Sequence, residues 1–176
     1  MKTIVVYSSQ TGFTQKYAEW LAKELNADTM TIKEAFKKDD SFFDQYDAVI
    51  YGGWVSVEKI HKADWFTKHI AAWKNKKLAI FGVGSSPAGY SGVQALLDRS
   101  LTAEQKKYAK AFYCEGGFAY EKMSLGTRML MKAYVAMLKN KKGNTKEETE
   151  RAEYISHSFD STDPKYIKPI VAYING

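Results

Sequence analysis

One stretch near the start of the chain decides the fold: Ile4-Val5-Val6-Tyr7-Ser8-Ser9-Gln10-Thr11-Gly12-Phe13-Thr14. Its first four residues are apolar and mostly β-branched, which predicts a short buried strand of a parallel sheet. A polar segment with one glycine follows. Beyond it, apolar side chains recur at helical spacing: Tyr17, Ala18, Leu21, Ala22 and Leu25. This spacing predicts a helix over residues 14–25, so the chain begins as strand, polar turn and helix.

The rest of the chain repeats this alternation of strand and helix. Apolar runs predict four more strands, over residues 29–32, 48–51, 77–83 and 111–114. Helical spacing predicts helices over residues 65–73, 91–110, 123–139 and 165–174. Every strand is followed by glycine or small polar residues, which is typical of an α/β fold. We therefore predict one domain over residues 1–176, a doubly wound five-stranded parallel sheet with helices on both faces. The stretch 139–150 is polar and predicts a mobile surface loop.

The composition favours a globular protein in a reducing compartment. Of the 176 residues, 45% are apolar and 26% are charged. No apolar run approaches the roughly 18 residues that a membrane-spanning helix needs, and the first residues lack the layout of a signal peptide. Cys114 is the only cysteine, which excludes an internal disulfide and a cysteine metal cluster. We therefore expect a cytoplasmic protein.

The net charge of +6 leaves several kinds of partner open. A basic balance suits nucleic acid, a membrane surface or acidic partners, and it also suits a merely solvated lysine surface. The lysines are spread along the chain and no nucleic-acid motif is present, so we expect no nucleic-acid partner. His61, His69 and His157 lack ligand spacing, and no metal site is predicted.

The polar turn after the first strand is the strongest chemical signal in the sequence. At this point a doubly wound sheet presents backbone N–H groups and a helix N-terminus to an anion. Hydroxyls at Ser9, Thr11 and Thr14 add donors, and Gly12 lets the backbone approach a ligand closely. The turn lacks the Gly-Lys-Ser/Thr of a Walker A loop and the triple glycine of a dinucleotide site. A monophosphate is the predicted ligand, and a simple helix N-cap is the alternative.

Residues 9–14 resemble the FMN-phosphate loop of the flavodoxin family. That loop has the pattern Ser/Thr-x-Thr-Gly-x-Thr, and the sequence matches every fixed position. The resemblance implies the strand order 2-1-3-4-5, FMN as cofactor, and two further loops that grip the flavin ring, at residues 52–56 and 82–86. The predicted cofactor-binding residues are Ser8, Ser9, Gln10, Thr11, Gly12, Phe13, Thr14, Gly53, Trp54, Val55, Ser56, Gly82, Val83, Gly84 and Ser85. Trp54 is the leading candidate to stack on the ring, with Tyr90 and Tyr120 behind it.

The second half of the chain resembles the flavodoxin-domain branch that includes menaquinone-dependent protoporphyrinogen oxidase. The resemblance lies in a basic, methionine-rich segment over residues 123–142. Its apolar residues are Met123, Leu125, Met129, Leu130, Met131, Val135, Met137 and Leu138. The basic residues are Lys122, which directly precedes the segment, and Arg128, Lys132, Lys139, Lys141 and Lys142 within it. Such a segment can lie on anionic lipid at the inner face of the membrane. A core helix with a solvated lysine face is the alternative.

The predicted function is electron transfer through a bound FMN, with a redox protein or a small redox substrate as partner. The cofactor carries the redox chemistry, so no catalytic acid or base is predicted. The alternatives are an FMN enzyme that oxidises a porphyrinogen or reduces a quinone, and a non-catalytic interaction module of the same fold.

Overall fold

The computed structural model describes residues 1–56 and 59–176. Its strands are β1 (Thr3–Ser8), β2 (Asp28–Thr31), β3 (Ala48–Ser56), β4 (Lys59–Ile60), β5 (Lys77–Gly84), β6 (Ala109–Glu115), β7 (Gly117–Phe118) and β8 (Phe159–Asp160). Its α-helices are α1 (Phe13–Leu25), α2 (Ile32–Ala35), α3 (Ala63–His69), α4 (Ser91–Ser100), α5 (Leu125–Asn140), α6 (Lys146–Tyr154) and α7 (Lys168–Asn175). Short 3-10 helices occupy Asp40–Gln45, Gln105–Lys107, Tyr120–Lys122 and Pro164–Ile167.

The central sheet has the predicted topology. Five strands pair in the order β2-β1-β3-β5-β6, all in parallel, and β4 pairs antiparallel with the end of β3. Counted among the parallel strands alone, this is the order 2-1-3-4-5, and the predicted fold class is confirmed. Strands β7 and β8 form a separate antiparallel pair.

Alternating residues of the strands fill two cores, one on each face of the sheet. Ile4 and Val6 of β1 belong to the core that packs under α2, α3 and α4. Val5, between them, belongs to the core under α1 and α7, where Tyr17 and Ile170 are fully buried. The continuous apolar runs of the sequence follow from this burial on both faces.

Two of the predicted elements are wrong in part, for different physical reasons. The predicted helix over residues 91–110 ends at Ser100, because Ala109 and Ala111 pair with β5 and begin β6. The predicted loop over residues 139–150 is largely helical. There the hydroxyl of Thr145 accepts a bond from the Glu148 N–H (3.1 Å), while the Glu148 carboxylate accepts one from the Thr145 N–H (2.8 Å), so the pair caps α6.

The predicted loop at residues 52–56 is wrong: these residues continue strand β3. Gly52 pairs with Tyr7 and Phe81, and Val55 pairs with Ile60 in the hairpin with β4. The glycine is required by packing, since a β-carbon on Gly52 would collide with the Phe81 ring. Within the described part of the chain, none of the helices combines the length and apolarity that crossing a bilayer requires.

We predict that Gly52→Ala lowers the free energy of unfolding by about 1–3 kcal/mol, because the buried Phe81 ring has no room for the added methyl group. Urea unfolding followed by circular dichroism measures this change. Gly89→Ala is the matched control, since nothing lies within 4 Å of its added β-carbon, and its effect should stay below about 1 kcal/mol. Equal stability of the two variants would contradict this account of Gly52.

Candidate functional site

The turn between β1 and α1 has the backbone of an anion-binding loop. Gly12 sits at the N-cap of α1 with φ +98° and ψ −18°, a left-handed conformation that glycine adopts without strain. Among the residues that the structure describes, no side chain caps this helix end. The first N–H groups of α1 lack intrahelical partners, as at any helix start, so they are available to a ligand.

The hydroxyl side chains of the turn lie around that helix end. The Ser9 hydroxyl accepts a hydrogen bond from the Gly12 N–H (3.2 Å) and retains its own hydrogen for donation. Thr14 is buried in the first turn of α1, whereas Thr11 is partly exposed at the tip of the turn. Ser8, the last residue of β1, is also buried. The structure thus brings together the first group of residues that the sequence predicts.

Phe13 and Tyr17 tie this turn to the end of β6 and to the segments that follow it. The Phe13 ring lies against the glycines that follow β6, 2.8 Å from the position of a β-carbon on Gly117. The Tyr17 hydroxyl donates to the Glu115 carbonyl (2.6 Å) and accepts a bond from the Asp163 N–H (3.1 Å). Burial raises the pKa of Tyr17 far above its ordinary value, so the hydroxyl stays protonated and can donate. These contacts fix the turn relative to the sheet edge.

Register places the other predicted segments at the same edge. Ser8 lies opposite Gly53, Gly53 opposite Gly82, and Gly82 opposite Tyr113. The three predicted segments therefore meet where parallel strands end, which is where open α/β sheets bind ligands.

The glycines at this edge serve the protein's own packing. A β-carbon on Gly53 would lie 2.7 Å from both the Ile60 side chain and the His61 carbonyl, and one on Gly82 would lie 3.0 Å from Ile60. A β-carbon on Gly84 would meet the Tyr113 ring, whose hydroxyl donates to the Ser86 carbonyl (2.7 Å). Side chains therefore fill the space above these glycines, where the sequence predicts a flat ligand.

Trp54, the predicted stacking residue, already has an aromatic partner. Its ring lies on that of His61, with centroids 4.4 Å apart and planes at 18°. The Trp54 carbonyl accepts a hydrogen bond from the His61 N–H (2.8 Å), which holds the pair together. Trp54, Val55 and Ser56 are partly exposed, while Tyr120 is held elsewhere by its hydroxyl bond to the Ile155 carbonyl (2.6 Å).

Sequence reasoning missed one cation beside the turn. The Lys122 ammonium lies 3.7 Å from the position of a β-carbon on Gly12. Lys16, the lysine that the sequence places nearest the turn, is bound instead to Asp160 (3.0 Å) and Thr162 (2.7 Å). Gly12 and Lys122 are 110 positions apart in the sequence, so no local motif signals the contact.

A sequence profile of the flavodoxin domain matches residues 4–146. The chain belongs to this family. Within the family it is similar to the flavodoxin-like domain-containing protein BilS of Clostridioides difficile (strain CD3), with 32% identity over 123 residues, or 68% of this chain and 68% of that protein. The finer resemblance to the protoporphyrinogen oxidase branch stays a prediction.

Solved flavodoxins are more distant from this flavodoxin domain. Oxidised flavodoxin 2 from Bacillus cereus is 14% identical, with a TM-score of 0.47 over 89% of this chain and 98% of that one. The Fusobacterium nucleatum flavodoxin bound to flavin mononucleotide is 19% identical, with a TM-score of 0.41 over 68% of this chain and 72% of that one. The family assignment rests on the sequence matches.

We predict that His61 titrates below the ordinary histidine pKa of 6.5, because burial and the adjacent Lys62 charge both disfavour its protonated form. NMR of the imidazole protons against pH measures the midpoint. Lys62→Gln should raise the midpoint, whereas Lys68→Gln, a lysine of α3 that is not among the causes of the shift, should leave it unchanged. Because the unfolded chain takes up this proton more readily, stability should fall as the pH drops below 6.5. A His61 midpoint above that value would contradict the assignment.

Proposed function

We propose that this flavodoxin domain binds FMN at the carboxyl edge of its sheet and transfers electrons through it. The observation that carries the proposal is the turn at residues 9–14, with its left-handed Gly12, its uncapped helix end and its hydroxyls. Family membership supports the choice of a flavin, as does the flavin mononucleotide named for the Fusobacterium nucleatum protein.

The phosphate would be held by the turn itself. Backbone N–H groups at the start of α1 point at an anion bound there, and the helix dipole favours negative charge at the same place. Hydroxyls of Ser9, Thr11 and Thr14 are the side-chain donors, while Ser8, Gln10, Gly12 and Phe13 shape the turn. The left-handed Gly12 leaves open the space that a β-carbon would fill.

The flavin ring would lie beyond the strand ends rather than above the glycines. Trp54 has one face against His61, so the ring would contact its other face. On the opposite side, the segment after β5 is fixed by the bond from the Ala88 N–H to the Glu115 carboxylate (2.7 Å). We assign Gly53, Trp54, Val55 and Ser56 to one wall of the ring site, and Gly82, Val83, Gly84 and Ser85 to the other.

Bound FMN supplies one- and two-electron redox chemistry, and the chain contributes binding, orientation and electrostatics. Rigid walls hold the ring at the sheet edge, where a redox protein or a small oxidant can reach it. Positive charge near the ring would favour the anionic reduced flavin. If the bound FMN oxidises a porphyrinogen or reduces a quinone, the protein is an FMN-dependent oxidoreductase.

We predict that the purified full chain binds FMN and turns yellow, and that Thr11→Ala weakens binding by about 1.5–3 kcal/mol. The loss follows from removing one hydrogen bond to a charged phosphate. Quenching of FMN fluorescence during titration gives both dissociation constants. Thr29→Ala, an exposed threonine on edge strand β2, is the matched control and should bind FMN like the parent.

The same titration separates the alternatives. Unchanged affinity in the double variant Thr11→Ala with Thr14→Ala would remove the turn from the FMN site, provided that circular dichroism shows the variant to be folded. Absence of FMN binding by the parent protein would favour the non-catalytic interaction module. If FMN binds, a screen of quinones and porphyrinogens as oxidants of the reduced protein tells a carrier from an enzyme.

We also propose that α5 lies on anionic lipid, which makes the protein peripheral to the inner face of the membrane. The observation that favours this is an apolar stripe on α5, formed by side chains that are 60–76% exposed: Leu125, Met129, Leu130 and Met137. These positions share one side of the helix, and Val135 on the other side is buried. An exposed stripe of this kind marks an interaction surface.

The charges beside the apolar stripe favour lipid over a second copy of the chain. Lys139 and Lys141 are paired with Glu153 and Glu148 of the next helix, at 2.7 Å each. Lys132 forms no ion pair with any described residue, and two copies facing each other would bring such positive charges together. An anionic surface instead accepts both Lys132 and the apolar side chains.

We predict that the protein sediments with phosphatidylglycerol-rich vesicles at low salt and is released at high salt, because lysine–headgroup attraction is screened. The double variant Met129→Gln with Leu130→Gln should lose this binding. Phe36→Ser is the matched control, since Phe36 is 53% exposed but lies outside the apolar stripe. Binding that is equal in both variants, or a dimer in solution without vesicle binding, would contradict the lipid assignment.

A further inference from the structure

We infer that Lys122 is the counter-charge of the FMN phosphate and makes the site select FMN over riboflavin, the same flavin without phosphate. This inference rests on the proposed function. The turn at residues 9–14 contains no basic residue, so the sequence alone predicts a phosphate held by neutral donors. The fold changes that prediction by bringing a lysine from the far half of the chain to the turn.

Lys122 reaches the turn at its most open point. Gly12 is the N-cap of α1, and the Lys122 ammonium is the only described group outside Thr11 and Phe13 that lies within 4 Å of the β-carbon that Gly12 lacks. An anion on the N–H groups of α1 would lie next to the same place. The left-handed glycine therefore gives the backbone and the ammonium access to one ligand.

In the described part of the chain, no carboxylate lies within ion-pair distance of this ammonium. Among the residues that the structure describes, Lys122 forms no ion pair, whereas Lys16 is bound to Asp160 and Thr162. The neighbouring Glu121 carboxylate accepts a hydrogen bond from the Ser158 hydroxyl (2.8 Å). A backbone hydrogen bond, this bond from Ser158 and the charges of Lys122 and Arg128 lower the pKa of Glu121. Lys122 therefore lies beside an anion-binding loop with no ion-pair partner among the described residues, and Glu121 interacts with it only at longer range.

Two hydrogen bonds hold the backbone that carries Lys122 in place. The Tyr120 N–H donates to the Ser158 hydroxyl (3.0 Å), and the Tyr120 hydroxyl donates to the Ile155 carbonyl (2.6 Å). These bonds anchor the 3-10 helix Tyr120–Lys122 to the chain segment just before β8. The fold therefore positions the backbone of this lysine before a ligand binds, which reduces the conformational entropy lost on binding.

The chemistry of the two flavins makes Lys122 a selective group. A phosphate monoester carries close to two negative charges near neutral pH, since its second pKa is about 6. Riboflavin ends in a neutral hydroxyl at the same position. A nearby ammonium stabilises the first and is indifferent to the second, and the attraction weakens with salt because Lys122 is exposed.

The test compares the dissociation constants of FMN and riboflavin for the full chain and three variants, at low and high salt. Lys122→Gln should weaken FMN about three- to tenfold at low salt, with less loss at high salt, and leave riboflavin unchanged. Lys122→Arg should bind FMN like the parent because it restores the charge. Lys132→Gln is the matched control, a lysine on α5 that also lacks an ion pair in the described structure, and it should change neither constant.

Three outcomes overturn the inference. Equal FMN affinity in Lys122→Gln and the parent removes the lysine from the site while leaving the FMN proposal intact. An equal loss for FMN and riboflavin means that Lys122 supports the fold and does not recognise phosphate. Failure of the parent protein to bind FMN overturns the proposed function, and this inference with it.

Discussion

The register of the parallel strands is the constraint on which the rest of the structure depends. Backbone pairing sets Ser8, Gly53, Gly82 and Tyr113 in one row across four strands. A slip of one residue in any pair would turn its buried side chains to the opposite face, and both faces are filled by distinct cores. The register is therefore strongly specified, and with it the point where the chain leaves each strand. The candidate site is formed by the segments at these strand ends.

Local signals were sufficient for the sheet and for the turn after β1. The strands are short apolar runs, and the hydroxyl-rich turn lies between a strand and a helix that adjoin it in sequence. The glycines of β3 and β5 show where such reasoning fails. Gly52 and Gly53 look like the start of a loop, yet they pair with β1 and β5 and continue the strand. They are glycines because Phe81 and Ile60 occupy the space that side chains would take. Neither partner is evident from the sequence around the glycines.

The same limit applies to surfaces. Helical spacing over residues 123–139 predicted α5, and the structure has that helix from Leu125 to Asn140. Spacing does not tell which side of a helix is covered. In α5 the side with Val135 is buried, and the apolar stripe is exposed. Lys122 adjoins the charges of this helix in the sequence, yet its ammonium lies at the turn after β1. The surface on which each charged side chain lies is set by contacts between residues that are distant in the sequence, so local spacing does not predict it.

The segment between β7 and β8 joins the two proposed surfaces. Its ends pair through Gly117 with Asp160 and Phe118 with Phe159, so the chain leaves and returns at one place. That place is anchored on α1, since Phe13 contacts Gly117 and Lys16 binds Asp160. Near the start of this segment, Lys122 lies beside the turn after β1. The apolar stripe follows later in the same segment, on α5. A phosphate bound at the turn would hold the base of the segment through Lys122, whereas the apolar stripe depends mainly on the packing of α5 against α6. Binding at the stripe and binding at the turn should therefore be separable by substitution, even though one segment supplies both.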